Sequence, residues 1–119
     1  MKYMLLIYMS ENAMNQAERE QCYRDSTQLA HDLKAAGQYV AAGPLQSVAT
    51  ATSVRIREGR RVVTDGPFAE TREQLGGYYI IDVADLDAAI SVAGRIPPAR
   101  KGTVEIRPMI ELPGLPDEG

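Results

Sequence analysis

Among its 119 residues the chain has one cysteine, one histidine, one phenylalanine and no tryptophan. Cys22 stands alone, which excludes an intrachain disulfide, fits a reducing compartment and makes the cytoplasm the default location. A single histidine, His31, and a single cysteine cannot build a typical zinc site, and no EF-hand spacing occurs. A site made only of carboxylates stays open, but no metal and no cofactor is expected. A Ser–His–Asp triad has only His31 to draw on, and nothing around it supports one. Basic charge is also scarce: Lys+Arg 13 against Asp+Glu 16 leaves a net charge of -3, without the footprint of a nucleic-acid binder. The apolar run Tyr3 to Met9 is too short to span a membrane and has no small-residue cleavage site after it, so it reads as a strand.

What is present reads as one domain over residues 1–111, with an extended tail at 112–119. Lys2 to Met9 is apolar on both faces, with Tyr3, Leu5 and Ile7 on one side and Met4, Leu6 and Tyr8 on the other. A helix follows from a cap at Asn12 or Asn15 to about Ala36, with Cys22, Ser26, Leu29 and Leu33 on its apolar stripe and Gly37 ending it. His31 lies roughly 200° around that helix from Leu29 and Leu33 and should face solvent. Gln38 to Gly43 is a short strand stopped by Pro44. Residues 53–57 and 60–64 flank Glu58-Gly59 as a β-hairpin whose arginine side is wet. Tyr78 to Val83 is the second strand apolar on both sides. Asp85 caps a second helix with Ala89, Ile90, Ala93 and Ile96 as its stripe, and Pro97-Pro98 ends it. Thr103 to Met109 is the last strand.

This order suits an α+β, ferredoxin-like βαββαβ fold with an inserted hairpin: an antiparallel sheet with two helices on one face. The two doubly apolar strands fall at the centre of such a sheet. Two helices cover one face only, so the other calls for a second copy, which predicts a homodimer with a partly apolar cavity between facing sheets.

The stretch Asp65-Gly66-Pro67-Phe68-Ala69-Glu70-Thr71-Arg72-Glu73-Gln74-Leu75-Gly76-Gly77-Tyr78-Tyr79 concentrates the candidate chemistry. Gly66 can take a positive φ and Pro67 stiffens the turn. Phe68 is expected to bury its ring and anchor the loop. Asp65 is the candidate catalytic group, a proton acceptor if it is desolvated in the cavity; the competing reading is that it satisfies the amides of its own turn. Glu70 and Glu73, with Arg72 beside them, are candidate ligand contacts or simply a solvated turn. Tyr8, Tyr78 and Tyr79 are candidate cavity walls or core. Gly76-Gly77 matches no phosphate loop and reads as a bulge or a close backbone approach.

Met1-Lys2-Tyr3-Met4-Leu5-Leu6-Ile7-Tyr8, Ala36-Gly37, Thr64 to Thr71 and Leu75 to Tyr79 resemble the YCII-related, or DGPF-domain, family over nearly the whole chain. The resemblance implies a dimeric α+β barrel in a family whose biochemical role is mostly unknown; the predicted inter-subunit cavity, with its tyrosines, is the candidate place for a small organic ligand. The resemblance also implies a regulatory or sensory association with extracytoplasmic-function sigma factors. Some YCII-like relatives are regarded as enzymes with a His–Asp pair, dehydrochlorinase chemistry among them. The comparable helix stretch here is Asp25-Ser26-Thr27, without a histidine. The alternative function is therefore a cofactor-free isomerase or lyase-like proton transfer through Asp65 and the cavity tyrosines.

Overall fold

A computed structural model describes residues 1–116; residues 117–119, the end of the expected tail, lie outside the described residues. The elements run β1 (Lys2–Met9), α1 (Gln16–Ala35), β2 (Tyr39–Pro44), β3 (Thr52–Arg57), β4 (Arg60–Asp65), β5 (Gln74–Asp82), α2 (Leu86–Arg95) and β6 (Thr103–Pro108), with 3-10 turns at Val48–Thr50 and Pro97–Arg100. The main sheet has the order β2-β5-β1-β6, antiparallel throughout, and β3-β4 forms a separate two-stranded sheet. This is the ferredoxin-like α+β arrangement, with β1 and β5 at its centre.

Local chemistry starts and stops each helix. Asn15 and Glu18 form a reciprocal capping box: Asn15 Oδ1 accepts from the Glu18 amide at 2.8 Å, and Glu18 Oε1 accepts from the Asn15 amide at 3.2 Å. Gly37, at φ +73°, ends α1. Asp85 Oδ1 accepts from the Ala88 amide at 2.9 Å and opens α2.

Both helices bury their stripes on one face of the sheet. Tyr3, Leu5, Ile7, Tyr79 and Ile81 meet Leu29 and Leu33 of α1 and Ala89 and Val92 of α2. Within α2 the buried set is Ala89, Val92 and Ala93, not Ile90, which is 52% exposed. The spacing 89, 92, 93 and 96 keeps to one helical face, and Ile90 lies about 100° off it.

Cross-strand register resolves the opposite face into rows. Arg107, Met4, Ile80 and Ala41 form one; Glu105, Leu6, Tyr78 and Gly43 form the next. Among the described residues no helix covers these side chains. Met4, Leu6, Tyr78 and Ile80 are only half-buried.

The hairpin departs from the expectation of one wet side. Both of its faces are exposed, with Val54 at 59% and Ile56 at 60%. Register places Val54, Ile56 and Val63 on one face with Arg61, and Arg55, Arg57 and Arg60 on the other with Val62. Glu58 and Gly59, at φ +51° and +73°, make the tight turn. The chain's radius of gyration is 16.0 Å, against about 13.5 Å for a compact domain of this length, in keeping with an arm that stands off the body. Among the described residues no helix is long and apolar enough to cross a membrane.

Candidate functional site

The 65–75 loop is held by its backbone rather than by a buried ring. Gly66, at φ +97°, donates its amide to Ala51 O at 2.7 Å and accepts from Ser53 Oγ at 2.8 Å. Phe68, expected to be an anchor, is 81% exposed. The loop leaves the projecting hairpin, so no core lies within reach of the ring. Asp65 pairs with Thr52 at the end of β4, and its carboxylate accepts no hydrogen bond from the described residues, so it does not close an Asx turn.

Further along, Gln74 ties the loop back on itself. Its side-chain amide donates to Thr71 O at 2.6 Å, and its side-chain oxygen accepts from the Glu11 amide at 3.1 Å. Glu73 is fastened to β6, with Thr103 Oγ1 donating to its carboxylate at 2.8 Å. Gly76 is the extra residue of a β-bulge, because Ile7 pairs with Gly77 while Tyr8 pairs with Leu75. The neighbouring Gly77 lets β2 come close: a Cβ there would lie 3.1 Å from Gly43 O. The double glycine thus serves both the bulge and the approach.

A cavity of about 1090 Å³ opens beneath the loop. Its walls are Tyr8 of β1, the 45–51 connection, residues 66–71 and the start of β5, with Glu11 at one side. Sequence reasoning missed Glu11. Its carboxylate accepts from Ser47 Oγ at 2.8 Å and from the Val48 amide at 2.9 Å, capping the first 3-10 turn and fixing the cavity wall. Its partners are some 36 residues away, so no local pattern could have signalled it. Tyr8 Oη donates to Glu105 at 3.3 Å. Desolvation first, and the Glu105 carboxylate second, push the phenol above its ordinary range, with Arg107 opposing. Tyr8 is therefore a donor, not a base, near neutral pH.

The candidate residues divide. Tyr8, Phe68 and Glu70 line this cavity. Tyr78 and Tyr79 line a second hollow beside α1, while Asp65, Arg72 and Glu73 line neither. Tyr79 is buried in the core, its hydroxyl donating to Ser26 O at 2.7 Å. Of the 25–27 stretch, Ser26 and Thr27 border that second hollow. Burial raises the pKa of the Cys22 thiol and so disfavours its thiolate. Among the described residues no group of three or more His, Cys, Asp or Glu side chains is placed to hold a metal ion.

An uncharacterized protein of Rhizobium meliloti (strain 1021) is 36% identical over 114 residues, spanning 92% of each chain. The family model described as the YCII-related domain matches residues 1–113. By this match over almost its full length, the chain belongs to the YCII-related family.

Proposed function

We propose that the protein binds a small organic molecule and acts as a homodimer, the open sheet face of one copy packed on that of the other. One observation carries the reading: two register rows of half-buried apolar side chains, Met4 with Ile80 and Leu6 with Tyr78, lie on a face that no helix of the described residues covers. The cavity beneath residues 66–71 adjoins this face through Tyr8 and is of ligand-binding size. Arg107 and Glu105 border the apolar rows and would form the polar rim of a symmetric interface. A cytoplasmic regulatory or sensory role beside an extracytoplasmic-function sigma factor belongs to the same proposal, on the strength of the family resemblance.

The alternative, cofactor-free isomerisation or elimination with Asp65 as base, has less support. Asp65 is not part of either hollow's wall, and Tyr8 holds its proton.

Sedimentation velocity tests the central claim. The wild type should run as a dimer at micromolar concentration and Leu6→Arg as a folded monomer with an unchanged far-UV spectrum. A wild type that sediments as a single chain would sink the proposal.

A further inference from the structure

The hollow beside α1 differs in kind from the loop cavity. It measures about 460 Å³ and lies between α1, the outer strand β2 and the start of β5, within the size range of small-molecule sites. Its floor is apolar or backbone: Ile7, Ala30, Ala42 and the glycines at 43, 76 and 77. Tyr23 and Tyr39 supply aromatic surface.

Charge sets the hollow apart. The chain carries 16 carboxylate side chains and a net charge of -3, yet among the described residues no Asp or Glu lines this hollow. The nitrogen-bearing side chains that do are His31 and Lys34, one helical turn apart on α1. Neither makes a hydrogen bond or ion pair with any described residue, although the acidic groups of the same helix are engaged: Asp25 with Gln21, Asp32 with Gln28 and Glu18 with Lys101. The hydroxyl of Tyr39 is likewise without a partner among the described residues. An apolar floor, aromatic walls and cationic and hydroxyl donors at the rim are complementary to a flat apolar body ending in a carboxylate.

We infer that this hollow is a second ligand site, one that takes a small aromatic carboxylate: the ring lies against Tyr23 and Tyr39, and the carboxylate meets Lys34 and His31. The site is made by one chain and needs nothing from a second copy. It can therefore fail while the dimer stands, or stand while the dimer fails.

Phenylacetate and its uncharged counterpart phenylacetamide are the probes, titrated into the full-length protein and followed by amide chemical shifts. Phenylacetate should move the resonances of residues 22–34 and of β2, with millimolar or tighter affinity that weakens as salt is added. Phenylacetamide should bind at least about threefold more weakly, and the double variant Lys34→Gln/His31→Gln should lose at least about threefold for phenylacetate only. Both changes are on an exposed helix face, so a far-UV spectrum like the wild type's is expected and checks the fold. Phe68→Ala, in the other cavity, should leave the titration unchanged. Equal affinity for acid and amide overturns the inference. So does indifference to the double variant, an effect of Phe68→Ala in its place, or no shift changes at millimolar probe.

Discussion

Two glycines should answer the same substitution with opposite signs. Gly102 sits where the chain enters β6, and a Cβ there would fall well inside contact distance of Tyr8 O and only 3.0 Å from Met9 Cβ. Both obstacles belong to β1, a central strand, so no flexible side-chain tip can swing away. The β1–β6 edge must open by about an ångström at Tyr8–Thr103, or β6 must slip. Overpacking of this kind costs about 3 kcal/mol. Unfolding entropy for 119 residues is about 0.25 kcal/mol/K, so Gly102→Ala should lower Tm by about 12 °C. Gly94, exposed near the end of α2 with nothing within 4 Å of its added Cβ, should gain about 0.5 kcal/mol as alanine, raising Tm by about 2 °C. Melting followed at 222 nm, at one fixed chain concentration, reads both. A Gly102→Ala protein that melts within about 2 °C of wild type would refute the claim that β1 backbone closes off that position.

Further outcomes follow from the same geometry. Tyr79→Phe removes the 2.7 Å hydrogen bond to Ser26 O and should cost about 1 kcal/mol in urea titrations at neutral pH. Burial raises the Tyr79 pKa above 10.0; the folded form then holds this proton longer than the unfolded one, so wild-type stability should fall more steeply than that of Tyr79→Phe as pH climbs past that value. Glu18 runs the other way. Lys101 first and the Asn15 amide second hold its carboxyl below 4.5, so its contribution is present above that pH and fades on acidification. The stability gap between wild type and Glu18→Gln should close between neutral pH and pH values well below 4.5, and a gap that widens would show the sign to be wrong.

Where the sequence was legible, alternation did the reading. Doubly apolar patterning put β1 and β5 in the middle of the sheet, and the observed order β2-β5-β1-β6 has them there. Caps at Asn15 and Asp85 are local chemistry and could be read locally. The α2 stripe was misread through hydrophobicity alone: Ile90 is more apolar than Ala89 or Ala93, but the angle around the helix decides which side chain is buried. Phe68 was misread for a related reason, since an aromatic ring anchors a loop only if a core lies under it. Glu11 and Gly102 could not be read at all. The importance of each comes from a partner remote in sequence, Ser47 for one and β1 for the other.

The hairpin shows what alternation leaves out. Its period separates Val54 and Ile56 from Arg55 and Arg57 correctly, yet says nothing about whether either face is covered. A lone two-stranded hairpin is marginal in water, because it pays the entropy of two strands for a single ladder and no buried layer. Here Val54, Ile56 and Val63 are exposed, with Arg61 across from Ile56, on an arm that the chain's own core does not reach. The open sheet face repeats the situation at the centre of the molecule, with Met4, Leu6 and Ile80 half-wet. Both surfaces lie outside the single core, and the proposed dimer would cover at least the sheet face. Leu6→Arg thus separates two accounts. If the sheet face is an interface, the charge abolishes association with little loss of far-UV signal; if the face is simply tolerated in water, neither mass nor spectrum changes.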